Sequence, residues 1–156
     1  MLIRRAEEKD IPSVLNLLLQ VLTVHHNIRP DLFKGNCTKY TANELSALFG
    51  NDFRPVFVYE DDDGEVKGYC FCVIEQHFAN NVLTDIKTLY IDDLCVDANS
   101  RGTGIGHKLY DYVREYAKEI GCYNITLNMW EGNDNAISFY RNLGLKPYKY
   151  GMESIL

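Results

Sequence analysis

A glycine-rich stretch joins a predicted strand to a predicted helix. It comprises Arg101, Gly102, Thr103, Gly104, Ile105, Gly106 and His107. The first N–H groups of a helix have no partner within it, and their partial positive charges add to the helix dipole. Glycines let a phosphate reach those N–H groups because no Cβ stands in the way. The sequence therefore predicts an anion-binding site at the start of this helix.

The spacing of these residues argues against the two common nucleotide-binding loops. A P-loop ends in Gly-Lys-Ser or Gly-Lys-Thr, whereas Gly106 is followed by His107 and Lys108. A dinucleotide-binding loop needs G-x-G-x-x-G close behind its strand. Here the glycines alternate with single residues, and four residues separate Val96 from Arg101. Both loops are therefore poor matches.

A second motif lies at residues 133–145 and reads N-D-N-A-I-S-F-Y-R-N-L-G-L. It resembles a signature of the GNAT acyltransferase superfamily, N-x-x-A-x-x-F-Y-x-x-x-G-F, and only Leu145 departs from that signature. Arg101, Gly104 and Gly106 likewise resemble the Arg-x-x-Gly-x-Gly pyrophosphate-binding motif of the family. The two motifs stand in the family's order, separated by one predicted helix and one predicted strand. The resemblance implies an acetyl-CoA-dependent N-acetyltransferase with the GNAT acyltransferase fold.

The resemblance also implies which residues bind acetyl-CoA. The backbone N–H groups of residues 102–107 would hold the coenzyme A pyrophosphate. Residues 94–96 would pair with the pantetheine like an extra strand and would help to bind the acetyl carbonyl. The residues implied for the coenzyme are Leu94, Cys95, Val96, Arg101, Gly102, Thr103, Gly104, Ile105, Gly106, His107, Asn133 and Ala136. The alternative for the loop alone is a plain glycine-rich helix start.

Tyr140 is the residue that the resemblance implies as the general acid. Acetyl transfer to an amine requires a neutral nitrogen, stabilisation of the tetrahedral oxyanion and a proton for the departing thiolate. In the family, the tyrosine of the F-Y pair supplies that proton, with its hydroxyl near the coenzyme sulfur. The chain contains 11 tyrosines, so a core tyrosine on an amphipathic helix is the alternative.

Two adjacent carboxylates, Asp92 and Asp93, precede the segment implied for the pantetheine. The run Tyr-Ile-Asp-Asp-Leu at residues 90–94 is similar to Tyr-Leu-Glu-Asp-Phe of the diamine (spermidine/spermine) acetyltransferases. This similarity implies Asp92 as the base, acting through a bridging water because aspartate is shorter than glutamate, and Asp93 as a substrate contact. Adjacent strand residues face opposite sides, so only one carboxylate enters the site unless a bulge intervenes. Two exposed strand charges are the alternative.

The motifs leave the acceptor open. Trp130, at the end of a predicted strand, is a further candidate for contact with it. The net charge of −6 argues against nucleic acid as a partner and favours a cationic substrate. We expect a small-molecule amine such as a polyamine, and the alternatives are a protein acetyltransferase (N-terminal or lysine amines) and a non-catalytic coenzyme-A-binding sensor. A homodimer is expected because dimers are common among proteins that resemble this one.

The composition is that of an ordinary globular protein, with 46% hydrophobic and 24% charged residues. No run of residues is long and apolar enough to span a bilayer, and no signal peptide is seen. We therefore expect a single N-acetyltransferase domain over residues 1–156, in the cytoplasm and not in a membrane. The 5 cysteines form no C-x-x-C pair, and Cys70 and Cys72 are expected on one face of a predicted strand, which suits buried thiols better than a metal site or a disulfide.

Changes in the spacing at which apolar residues recur along the chain predict the helices and strands that position these residues. They predict an α/β fold in the order β-α-α-β-β-β-α-β-α-β, with a mixed, mostly antiparallel sheet flanked by about four helices. Asp10 is expected to cap the first helix, and Thr41 with Glu44 to form a capping box for the second. The expected strands are residues 2–6, 56–59, 66–78, 86–96, 123–129 and one or two within 145–155, and the expected helices are residues 11–25, 41–49, 104–120 and 133–143.

Overall fold

The computed structural model describes residues 1–156. Five strands form one sheet in chain order, and all neighbours are antiparallel except the last two, which are parallel. The strands are Leu2–Arg5 (β1), Val56–Glu60 (β2), Val66–Gln76 (β3), Lys87–Val96 (β4) and Asn124–Leu127 (β5). The predicted α/β fold with a mixed, mostly antiparallel sheet is confirmed.

Four helices flank the sheet. They are Ile11–Ile28 (α1), Ala42–Leu48 (α2), Ile105–Glu119 (α3) and Asp134–Asn142 (α4). Along β3, the buried Tyr69 and Phe71 pack with α1 and α2 on one face, whereas the buried Cys70 and Cys72 pack with α3 on the other. The two cysteines thus pack as small apolar side chains, as predicted. None of the four helices has the length and apolar character that crossing a membrane requires.

The helix starts agree with the predicted caps in one case and differ in the other. The capping box is confirmed, since the Thr41 N–H donates to Glu44 Oε2 at 2.7 Å. Asp10 precedes α1, but its side chain does not cap the helix. Instead Arg4 donates two hydrogen bonds to the buried Asp10 carboxylate, at 2.7 and 3.0 Å. The predicted side-chain cap is therefore wrong, because a buried carboxylate requires a cationic partner.

The final strand predicted within residues 145–155 is absent, so that prediction was wrong. Residues 145–156 form neither helix nor strand, and Tyr148, Tyr150 and Met152 are exposed. Their alternation marks one face of a strand, but a strand also needs a neighbour to pair with. Pro147 has no N–H to offer such a neighbour. The observed order of elements therefore ends at α4.

The end of β4 carries a bulge and a free edge. Phe71 of β3 pairs with Asp93 and Cys72 pairs with Ile91, so Asp92 is the extra residue of the bulge. The pairing between β4 and β5 covers only residues 88–91 of β4. Beyond this point, the edge of β4 on the β5 side has no strand partner. This fork between the two parallel strands is the feature on which the candidate site is built.

Candidate active site

The start of α3 presents unpaired backbone N–H groups, in the place that the sequence predicts. Gly104 is the N-cap residue, and no side chain caps the first turn. Gly102 and Gly104 have φ angles of +79° and +85°, in the left-handed region that favours glycine. The N–H groups of residues 105–107 are therefore available to an anion.

The glycine-rich loop is held in place from both sides. Gln20 of α1 donates to Asp97 Oδ1 and accepts from the Ala98 N–H, in both cases at 2.9 Å. Arg101 turns back toward the preceding strand, where its Nε donates to the Val96 carbonyl at 3.2 Å. These bonds fix the path of the backbone between β4 and α3.

The two sequence motifs meet where α3 packs against α4. A Cβ at Gly106 would lie 3.1 Å from Cζ of Phe139, and the His107 and Phe139 rings are 5.2 Å apart. Gly106 is therefore needed for the close packing of the two helices. Ile105 buries its side chain in the core, so only its backbone is available to a coenzyme.

Residues 94–96 keep one backbone edge free, as the predicted pairing with pantetheine requires. The edge is free because β5 ends at Leu127. Cys95 buries its side chain on the α1 side, where the thiol donates to the Leu17 carbonyl at 3.5 Å. This segment therefore offers backbone groups to an extended ligand, and Cys95 offers no side chain.

Asn133 and Ala136 have a structural role at the start of α4. Oδ1 of Asn133 accepts a hydrogen bond from the Ala136 N–H at 3.2 Å, which caps the helix. Both residues are partly exposed. Their contact with the coenzyme stays a prediction.

Tyr140 lies on the buried side of α4, with 8% of its surface exposed. Burial raises the pKa of its hydroxyl well above the ordinary value, and the nearby Cys70 and Asp93 raise it further. Tyr140 therefore keeps its proton at neutral pH, which is the state that a proton donor requires.

The bulge in β4 turns both Asp92 and Asp93 toward the face that α1 and α2 cover. Lys39, in the loop between those helices, donates from Nζ to Asp92 Oδ2 at 2.6 Å. Tyr69, a core residue of the same face, donates its hydroxyl hydrogen to Asp93 Oδ2 at 2.7 Å. In a regular strand only one of these carboxylates would face the site. The bulge therefore places two consecutive acidic residues on the same face of the sheet.

Asp93 has an environment that suits proton transfer. Burial raises the pKa of its carboxyl to about 6. The hydrogen bond from Tyr69 and the charge of Lys39 oppose this shift, and the charge of Asp92 adds to it. A carboxylate with this pKa is largely ionised at neutral pH and accepts a proton more readily than an ordinary aspartate. Asp93 therefore has the properties of a general base.

An aromatic cluster connects the end of α1 to the segment that follows β5. The His25 and Phe33 rings are 5.1 Å apart, and Phe33 meets the Trp130 ring edge to face at 5.3 Å. The Arg29 guanidinium lies 5.9 Å from the centre of the Trp130 ring. Burial, together with the charge of Lys39, lowers the pKa of His25, so this imidazole is neutral at neutral pH. Trp130 thus borders the loop that supplies Lys39.

Lys39, Tyr69 and Phe33 contact the candidate residues Asp92, Asp93 and Trp130, and no sequence motif marks them. Lys39 is 53 residues from Asp92 along the chain, and Tyr69 is 24 residues from Asp93. Finding them requires knowing which loop covers which strand. The alternation of β3 gives the face on which Tyr69 lies, but it does not give the bulge that brings Asp92 to the same face.

Known proteins resemble this chain over most of its length. The model of the acetyltransferase (GNAT) family matches residues 22–145. Glucosamine 6-phosphate N-acetyltransferase of Arabidopsis thaliana is 25% identical over 143 residues, which cover 92% of this chain and 88% of that protein. Thialysine N-epsilon-acetyltransferase of Sus scrofa is 28% identical over 149 residues, which cover 93% and 84%.

Solved structures share the fold. A mutant form of the BH1408 protein from Bacillus halodurans has a TM-score of 0.95 at 31% identity, over 100% of this chain and 99% of that chain. An aminoglycoside acetyltransferase from an uncultured soil metagenomic sample has a TM-score of 0.75 at 22% identity, over 99% and 95%. At the second identity, the similarity concerns the fold alone.

Proposed function

Since the chain belongs to the acetyltransferase (GNAT) family, we propose that it transfers the acetyl group of acetyl-CoA to a primary amine of a small cationic molecule. The carboxylate pair at the free edge of β4 carries this proposal. Asp92 and Asp93 supply negative charge at this edge, and Lys39 already places an ammonium group against Asp92. An amine acceptor needs such a site because it arrives as an ammonium ion.

Two features of the donor side fit acetyl-CoA. The uncapped first turn of α3 offers N–H groups to the pyrophosphate, which residues 102–107 would hold. The free edge of β4 offers backbone groups to the amides of the pantetheine. The coenzyme supplies an activated acetyl group, and the chain's own residues orient it and move protons.

The reaction needs a base on the acceptor side and an acid on the donor side. Asp93 accepts a proton from the incoming ammonium group, which leaves a neutral amine. The amine nitrogen attacks the thioester carbonyl, so that the C–N bond forms as the C–S bond breaks. Tyr140 donates its proton to the departing thiolate, the attacking nitrogen gives its second proton through water to the tyrosinate that this leaves, and Asp93 releases its proton to solvent.

The sequence led us to expect Asp92 as the base and Asp93 as the substrate contact. The environments of the two carboxylates favour the reverse assignment. Asp92 is paired with Lys39 at 2.6 Å, which suits a residue that holds a cation. Asp93 has a pKa of about 6 and is oriented by the Tyr69 hydroxyl. A base must exchange a proton near the working pH. We therefore assign the base to Asp93 and the substrate contact to Asp92.

An amine panel tests this function by thiol release from acetyl-CoA. We expect putrescine, spermidine and thialysine to accelerate release above the rate in water. Glucosamine 6-phosphate should be a poor acceptor, because its phosphate would meet the carboxylate pair. The Asp93→Asn variant controls for release outside the site, and it should lose the acceleration.

Two outcomes of the panel would replace the proposal. A lysine peptide as the best acceptor by far would indicate a protein acetyltransferase. Release that no amine accelerates would indicate a coenzyme-A-binding sensor without turnover. Both alternatives retain the donor site, so coenzyme binding alone does not separate them from a small-molecule acetyltransferase.

The tail of residues 145–156 supports a homodimer. It contains five exposed apolar residues, namely Tyr148, Tyr150, Met152, Ile155 and Leu156. The outer edge of β5 has no strand partner in the chain. We propose that the tail of each copy covers the β5 edge of the other, because the tail and this edge both lack a strand partner within the chain. Light scattering should give twice the mass of the chain, and a Tyr150→Asp, Met152→Asp variant should be monomeric.

A further inference from the structure

The acceptor side of the site contains a cation that belongs to the protein itself. Lys39 approaches Asp92 with its ammonium group at 2.6 Å, and the charge of Asp93 also attracts it. The same ammonium group lies 5.7 Å from the centre of the Tyr40 ring. A carboxylate, a second carboxylate and an aromatic ring are what a substrate ammonium group would be expected to contact.

The attachment of Lys39 is reversible. Its side chain is 43% exposed, whereas that of Asp92 is 20% exposed. An ion pair in which one partner is this exposed contributes little to stability, because solvent replaces it at small cost. Lys39 also lies on a loop, between the end of α1 and the start of α2, and not within a helix or strand. Asp92 would remain at the bulge when Lys39 leaves.

We propose that Lys39 is an internal substitute for the second ammonium group of a dicationic acceptor. It occupies Asp92 in the free protein and is displaced when a diamine binds with one ammonium group at Asp93 and the other at Asp92. This inference rests on the proposed function and deepens it, because it separates diamines from monoamines. A monoamine needs only Asp93, so it leaves Lys39 in place.

Lys39 would thereby oppose the binding of diamines much more strongly than that of monoamines. Replacing it by methionine keeps an unbranched side chain, one atom shorter, and removes its charge. Lys34 provides the matched control, since it is an exposed lysine of the same loop. The Lys34→Met change alters the net charge of the protein by the same amount. Any effect specific to Lys39→Met therefore comes from the contact with Asp92 and not from long-range attraction.

The experiment compares putrescine with butylamine, which has the same carbon chain and one ammonium group. Calorimetry measures the Kd of each amine in the presence of coenzyme A, so that no turnover is needed, and kinetics with acetyl-CoA gives KM and kcat. We expect Lys39→Met to lower the Kd and KM of putrescine roughly tenfold, the size expected for loss of one close charge pair in competition. Butylamine should gain much less than putrescine, because Lys39 acts on Asp93 only through its charge and is not displaced by a monoamine. With Lys34→Met, the binding of both amines should stay as in the wild type.

Two results would overturn the inference. An unchanged putrescine Kd in Lys39→Met would mean that Lys39 does not compete with the acceptor. A raised putrescine Kd would mean that Lys39 helps to bind the acceptor. The proposed function is judged separately, from turnover of the wild type: tighter putrescine binding without acetylation would support the role of Lys39 and reject putrescine as an acceptor.

Discussion

The donor and acceptor sides of the site are built from different kinds of interaction. The donor side consists of backbone groups from a short stretch of chain, residues 94–107, shaped by glycines and by an uncapped helix start. The acceptor side consists of side chains that are distant in sequence, such as Lys39 with Asp92 and Tyr69 with Asp93. A backbone site imposes a local pattern on the sequence, and a side-chain site does not. The sequence of the donor side is therefore enough to recognise the family, whereas the sequence does not identify the acceptor molecule.

Tyr140 is the proposed acid of the donor side, and its removal should have the largest effect. The Tyr140→Phe variant keeps the buried ring and loses the proton donor, so we expect kcat to fall by about 100-fold or more. Coenzyme A binding should be nearly unchanged, because the backbone of the donor side is intact. Steady-state kinetics and calorimetry measure the two quantities. Tyr112→Phe, on the exposed face of α3, is the control, and a wild-type kcat for Tyr140→Phe would make Tyr140 a packing residue.

Gly104 tests whether the donor side depends on backbone conformation. At φ +85°, a valine would be strained by ~1–3 kcal/mol, and the loop would relax by moving its N–H groups. We expect Gly104→Val to weaken coenzyme A binding by about tenfold, equivalent to about 1.4 kcal/mol. Calorimetry measures the affinity, and thermal unfolding measures the loss of stability.

Gly64 offers a matched control for that strain. It has φ +80° in the hairpin between β2 and β3, and a Cβ on either glycine meets nothing within 4 Å. Gly64→Val should therefore lower the thermal stability to a similar degree without changing coenzyme affinity. Equal coenzyme affinities in the two variants would remove the basis for assigning the loop at residues 102–107 to the pyrophosphate.

The same contrast explains how far the sequence could predict the structure. The glycine loop and the Thr41–Glu44 capping box were predictable, because each depends on residues within a few positions of one another. Asp10 was expected to cap α1 and instead pairs with Arg4. Arg4 lies on β1, and the local sequence does not show that β1 runs beside the start of α1. The bulge at Asp92 likewise depends on register with β3. The prediction of a final strand within residues 145–155 was wrong because alternation of side chains shows which residues would share a face of a strand. It does not show whether another strand is available to pair with them.

The pH profile tests the acceptor side through Asp93. A base with a pKa of about 6 is protonated below that pH, and its protonated form cannot accept the proton of the amine. We expect kcat/KM, expressed per total amine, to fall roughly tenfold for each pH unit below about pH 6, because the acceptor arrives as the ammonium ion throughout this range. Asp93→Asn should remove this limb from its residual activity. A limb that persists in Asp93→Asn would assign the titration to another group.

Tyr69→Phe should have the smallest effect and is the most specific test of the acceptor side. The Tyr69 hydroxyl donates to Asp93 and lowers the pKa of that carboxyl. Its loss should therefore move the acidic limb of the kcat/KM profile to higher pH, with about a threefold loss near pH 6 and little change on the plateau. A purely structural role would lower activity at every pH. Tyr59→Phe, a buried tyrosine of β2 whose hydroxyl contacts the Met1 sulfur, is the control. If the acidic limb stays at the same pH in Tyr69→Phe, the hydrogen bond from Tyr69 does not control the base. The side-chain contacts of the acceptor side would then not explain the chemistry assigned to it.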